Sequence, residues 1–200
     1  MSDVQDGKPG MTSSRLEAFT DGVVAIIITI MVLELKVPAN GTLSALAQSA
    51  PILVAYVLSF INVGLYWNNH HHLMHAAGRI DGRVLWANLF LLFWLSLVPF
   101  VIRWLDESAF SAMATAAYGV VLGMAAVGYM LTEHAIVVCN GRQSTLARAL
   151  GRDVKGKISL MLYAIAIPAA FLARPLSLVI YVVILGVWLR PDKRIERLLG

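Results

Sequence analysis

Four histidines crowd into six positions, His70, His71, His72 and His75, directly after Trp67, Asn68 and Asn69. His71 and His75 are four apart, which puts two imidazoles on one face of a helix, where they can hold a transition metal or serve a haem. No HExxH pattern and no carboxylate at helical spacing accompanies them, so no metal site, no cofactor and no catalytic residue is assigned. One or two of the rings are expected to hold hydrogen bonds and the others to meet water. A second set, the polar Arg15, Thr20 and Asp21 with the aromatic Phe19, fits within two helical turns, with Arg15 and Phe19 on one face. A guanidinium, a carboxylate, an indole N–H and an imidazole at one depth can satisfy one another. Arg15, Asp21, Trp67 and His71 (or His70) are therefore the candidates for a single network between two helices.

The elements that must carry these residues are membrane helices. The chain has 200 residues, 58% hydrophobic and 14% charged, with a mean hydropathy of +0.73. Soluble domains carry roughly 25% charged residues, so the composition excludes an ordinary soluble domain. Cys139 is the lone cysteine, which excludes a disulfide scaffold. Six apolar stretches are legible, at 18–37, 50–67, 84–102, 108–132, 158–173 and 175–189, the last two short for a crossing. With six crossings, 13 of the 16 basic residues fall on the side of the termini, while Lys36, Arg103 and Arg174 fall on the other. That asymmetry places both termini in the cytoplasm. The net charge of +4 is thus a topology signal rather than a nucleic-acid surface. Residues 1–14 read as a disordered cytoplasmic N-terminus with no cleaved signal, 15–190 as a transmembrane domain, and 191–200 as a basic cytoplasmic tail. A short surface helix is expected within 144–154.

The first span is anomalous. Only 12 uncharged residues separate Asp21 from Glu34. At about 1.5 Å per residue they cover about 18 Å, against a hydrocarbon core of roughly 30 Å. A helix with charges at that depth must face protein or water, which places it centrally in the bundle or in an oligomer. Ile26, Thr29 or Ile30, and Leu33 recur at spacings of three and four and make one stripe along it. On spacing alone, that stripe reads first as ordinary packing against a neighbour. Gly119 and Gly123 form a small-residue pair in the fourth span, and Pro99 and Pro168 are expected to bend the third and fifth.

These residues resemble a known family. Arg15-x-x-x-Phe19-Thr20-Asp21-Gly22 followed by AIIITIMVLELKVP is similar to the helix-1 signature of the transmembrane protein 175 family of cation channels, usually Arg-x-x-x-Phe-Ser-Asp. Tyr56-x-Leu58-Ser59-Phe60 with Gly64-x-Tyr66-Trp67-x-x-His70-His71 is similar to its second helix, and Asn88-Leu89 through Val98-Pro99-Phe100 to its third. The resemblance covers residues 15–102; the second half matches by span count alone. It implies an all-α bundle of six transmembrane helices per chain. Four such chains would form a homotetramer in the cell membrane, around a potassium-permeable pore lined by helix 1. Animal relatives conduct potassium and protons in endosomes and lysosomes. Family constrictions fall five, eight or nine, and twelve residues after the signature Asp, here Ile26, Thr29 or Ile30, and Leu33. Thr20 departs from the usual Ser but keeps the hydroxyl.

The reading that follows is passive conduction past apolar constrictions, with Glu34 at the outer pore mouth and Thr29 offering hydroxyl oxygens to the ion. The chain holds no TVGYG-like segment, so the backbone-carbonyl filter of ordinary potassium channels is absent. Two other classes compete: a proton-coupled transporter, marked by saturable solute uptake, and a histidine-based membrane metalloprotein, marked by metal content after purification.

Overall fold

The computed structural model describes residues 13–38, 40–141, 147 and 153–189. Within them the chain is all helical: α1 (Ser13–Leu33), α2 (Leu43–Gln48), α3 (Ala50–Ala76), α4 (Gly82–Ser96), α5 (Val98–Glu107), α6 (Ala112–Asn140), α7 (Val154–Leu172) and α8 (Arg174–Trp188). Five segments are long and apolar enough to cross a membrane: α1, α3, the α4–α5 pair taken together, α6 and α7. The sixth apolar helix, α8, has only 15 residues, about 22 Å at 1.5 Å each. The expected helix within 144–154 and both expected tails, 1–14 and 191–200, lie largely or wholly outside the described residues.

Helix ends depart from the apolar stretches, for identifiable reasons. Helix α3 runs on through the histidines to Ala76, because backbone hydrogen bonds continue where hydropathy stops. Helix α6 likewise continues past Glu133 and His134 to Asn140, and Gly141 follows at φ 91°. Its start is delayed to Ala112 because Ala109 and Phe110 take positive φ and turn the chain, after which the Ser111 hydroxyl accepts from Ala114 N–H. The third span is two helices: α4 stops at Ser96, and α5 starts with Pro99 in its first turn, where a missing N–H costs nothing. Pro168, by contrast, sits inside the unbroken α7. Helix α1 ends at Leu33, a few residues before Pro38. The small helix α2, capped by Thr42, buries nothing and was not legible in the hydropathy pattern.

Helix α6 is the hub, packing against α4, α5, α7 and α8 and burying residues along its whole length. Small residues make this possible. A Cβ on Gly128 would lie 2.7 Å from Leu91 Cα of α4, one on Gly119 would overlap the Tyr181 ring of α8, and one on Gly123 would lie 3.3 Å from Tyr163 Cβ of α7. The Gly119/Gly123 pair thus packs helices within one chain. Tyr181 Oη donates to Thr115 O (3.1 Å), and Tyr118 and Ser59 share a buried hydrogen bond of 2.8 Å that ties α6 to α3. Helix α1 packs on the outside of this hub against α3, α4 and α5.

Gly128→Val would push a side chain into the backbone of α4, at a cost of about 1–3 kcal/mol. The variant is expected to melt several degrees lower in detergent and to lose monodispersity in size exclusion. Gly186→Ala, where no atom lies within 4 Å, serves as the unaffected control.

Candidate functional site

Helix α1 has two faces. Leu16, Thr20, Val24, Ile27 and Met31 recur every three or four residues and are buried against the other helices. Rotated away from them lie Arg15, Phe19, Gly22, Ile26, Thr29, Ile30 and Leu33, all exposed; Ile26 is 58% and Leu33 78% exposed, against 0% for Met31. The stripe read from the sequence is therefore the face that the chain leaves uncovered. Thr29 is the polar break in its middle. The hydroxyl donates back to Ala25 O (2.9 Å) and Ile26 O (3.0 Å), so its proton is committed and its oxygen lone pairs remain for an outside donor or cation.

Polar contacts pin α1 at both ends. Near its start, α1 and the antiparallel α3 form a ladder. Trp67 Nε1 donates to Asp21 Oδ1 (2.8 Å), and His71 Nδ1 lies 2.5 Å and His75 Nδ1 3.4 Å from Glu17 Oε1. The Trp67 and His71 rings stack at 6.0 Å, which fixes both. Beside the ladder, Asn88 of α4 bridges two buried side chains. Its Nδ2 donates to Thr20 Oγ1 (2.9 Å), and its Oδ1 meets His70 Nε2 (2.8 Å). Thr20, His70 and Asn88 are all buried, so this chain of bonds is closed to water. At the other end, Glu34 lies 3.6 Å from Arg103, Lys36 3.1 Å from Asp106, and Arg103 Nε donates to Glu107 (3.0 Å).

The structure thus brings together most of the residues singled out from the sequence, but in a ladder joined by the Trp67–His71 stack and a distinct buried bridge rather than in one network. Asp21 pairs with Trp67, His71 with Glu17, and His70 with Thr20 through Asn88. Arg15 and Phe19 point away, on the exposed stripe, and Arg15 hydrogen-bonds to no described residue. Lys36, two residues beyond Glu34, reaches Asp106. Glu17, Asn88 and Arg103 were not singled out. Glu17 and Asp21 are four apart, as are Trp67, His71 and His75, and that matched spacing on two antiparallel helices was the available signal. Asn88 is a lone amide in an apolar run, which in a membrane demands a partner.

Comparison with known proteins bears on this geometry. Residues 15–99 match the family described as endosomal/lysosomal potassium channel TMEM175. A potassium channel of Chryseobacterium sp. (strain P1-3) is 47% identical over 187 residues, covering 94% of this chain and 97% of the relative. The chain belongs to the TMEM175 family. A potassium channel of Streptomyces collinus is a further relative, 32% identical over 83% of this chain and 86% of its own. The crystal structure of a lysosomal potassium-selective channel TMEM175 homolog from Chamaesiphon minutus superposes with a TM-score of 0.77 at 27% identity, over 90% of this chain and 97% of that one. TMEM175 relatives are channels, not enzymes, and the five apolar spans make this chain a multi-pass membrane protein. The TMEM175 match takes in α1, α3 and α4, the three helices that build the ladder and the buried bridge.

Asn88→Leu keeps the volume but leaves Thr20 and His70 without their partner, at about 1–3 kcal/mol for each buried polar group. The expected result is a melting temperature several degrees below wild type in detergent. An unchanged melting temperature would show that the bridge contributes nothing to stability.

Proposed function

We propose that this chain forms a homotetrameric, potassium-permeable channel in the cell membrane, with the exposed stripe of α1 lining the central pore. The observation that carries the proposal is the combination of exposure and charge around one helix. Helix α1 leaves Ile26, Thr29, Ile30 and Leu33 uncovered, yet only 12 residues separate Asp21 from Glu34, the residue that follows its last turn. A helix facing lipid needs roughly 20 apolar residues. A water-filled axis shared by several chains tolerates the short span, the charged ends and the mid-helix hydroxyl alike. An open groove of about 380 Å³ beside the stripe, lined by Ile26 and Ile30 of α1, by Glu34 just beyond it and by Phe100 and Arg103 on α5, offers room for side chains of a neighbouring copy.

In such a pore, rings of Ile26 and Leu33 are apolar necks that gate by dewetting, with Ile30 between them. Thr29 contributes four outward oxygens to a partly dehydrated cation. Selectivity for potassium over sodium then follows from the larger cost of stripping water from the smaller ion, and it is modest because no carbonyl filter assists. Glu34 stands at the outer mouth in a cluster of three carboxylates and two cations, net negative, which favours cation entry. Six crossings, including the short α8, put both termini in the cytoplasm, in keeping with the distribution of basic residues. Arg15 and Phe19 face the inner entrance. Thr20, Asp21, Trp67, His70 and His71 set the tilt of α1.

Two substitutions test this in planar bilayers. Ile26→Asn is expected to raise conductance and erode ion preference. Thr29→Val, equal in volume but without the hydroxyl, is expected to move the potassium/sodium bi-ionic reversal potential towards zero. Wild-type currents and reversal potentials in both variants would remove the stripe from the pore.

A further inference from the structure

Three ligating side chains converge where α1 meets α3. Glu17 turns one oxygen, Oε1, towards Nδ1 of both His71 and His75. The two imidazoles stand four residues apart on one face of α3, with ring centroids 4.2 Å apart, and the donor atoms of all three residues lie within 4.8 Å of one another. The His71 and His75 side chains are 38% and 50% exposed, so an ion can enter from water, while Glu17 is 15% exposed and held in place.

We propose that Glu17, His71 and His75 form a binding site for a divalent transition cation of the zinc type, bridging α1 and α3. Two imidazole nitrogens and a carboxylate are a donor set that suits zinc, with a fourth position left to water. Zinc–ligand bonds of about 2.0–2.1 Å at tetrahedral angles space the ligand atoms roughly 3.3 Å apart. Glu17 and His75 stand 3.4 Å apart, and His71 needs to retreat by less than an ångström from its 2.5 Å contact. Trp67 stacks on His71 and limits the ring's orientations. The site does not suit calcium or magnesium, which take oxygen ligands throughout. The spacing argument along α3 missed it because the carboxylate arrives from another helix. A bound ion replaces a hydrogen-bonded contact with coordinate bonds and so ties the start of α1 to α3. Binding at this site is independent of what passes along the exposed stripe.

Zinc alone, titrated against a chromogenic chelator with the purified full-length protein, tests the site. One zinc ion per chain is expected, with zinc-edge absorption reporting two imidazoles at about 2.0–2.1 Å. His75→Ala and Glu17→Gln are each expected to weaken binding at least about tenfold, the loss that even outer-shell changes produce. His72→Ala, one residue along, should leave binding intact. Zinc should also raise the melting temperature of the wild type but not of His75→Ala, which separates lost binding from lost folding. Wild-type binding below one ion per chain, or undiminished affinity in a folded His75→Ala protein, would overturn the site.

Discussion

Asp21 and Glu34 bound an apolar stretch too short for both to rest in lipid, and the arrangement of this chain answers that constraint. Asp21, on α1, and Glu34, just past its end, lie closer together along the chain than a bilayer is thick. Each needs a partner or water at its own depth. Asp21 finds the Trp67 indole on α3, and Glu34 finds Arg103 on α5. Because the partners sit on fixed neighbours, they set the rotation of α1 about its axis as well as its position. Val24, Ile27 and Met31 then turn inwards, and Ile26, Thr29 and Leu33 outwards. The rotation of α1 is thus set by polar partners towards its ends, since in its middle Thr29 alone breaks an apolar surface.

The remaining helices supply the rigidity this arrangement needs. Close approach at Gly119, Gly123 and Gly128 lets α6 bind α4, α7 and α8 into one packed unit. Tyrosine hydroxyls satisfy carbonyl and hydroxyl groups inside it, as Tyr181 does for Thr115. Helix α1 is attached to this unit differently. Its contacts combine an apolar face with polar pairs at either end, and it owes little to the hub itself. The buried Thr20–Asn88–His70 bridge joins α1 to α4 and α3 at a point closed to water.

Helix α1's dual character and the membrane class were legible in the sequence because both rest on composition and spacing. The stripe at Ile26, Thr29, Ile30 and Leu33 could be drawn from periodicity, but its exposure could not, since packing faces and free faces share one period. Partners were harder. Trp67 and Asp21 were matched by depth, whereas Arg15 was placed in the same network and instead lies on the bare face. Depth gives a level and says nothing of the angle around a helix. Glu17 passed as one polar residue among the many that open the chain, although it meets two histidines. Helix ends were misread wherever hydropathy ended before hydrogen bonding did, as after Trp67 and Thr132. The break at Leu97 was visible only as Pro99, whose effect was to start a new helix rather than to bend an old one.

The account rests on water reaching one face of α1 and not the other. The direct measurement is cysteine accessibility along that helix, in a Cys139→Ser background reconstituted into liposomes, with a small charged thiol reagent and potassium flux as the readout. Cysteines at Ile26, Thr29, Ile30 and Leu33 should react and change the flux, while those at Val24, Ile27 and Met31 should stay silent. Reaction at Val24 and Ile27 with none at Leu33, or no reaction at any of the seven, would contradict it.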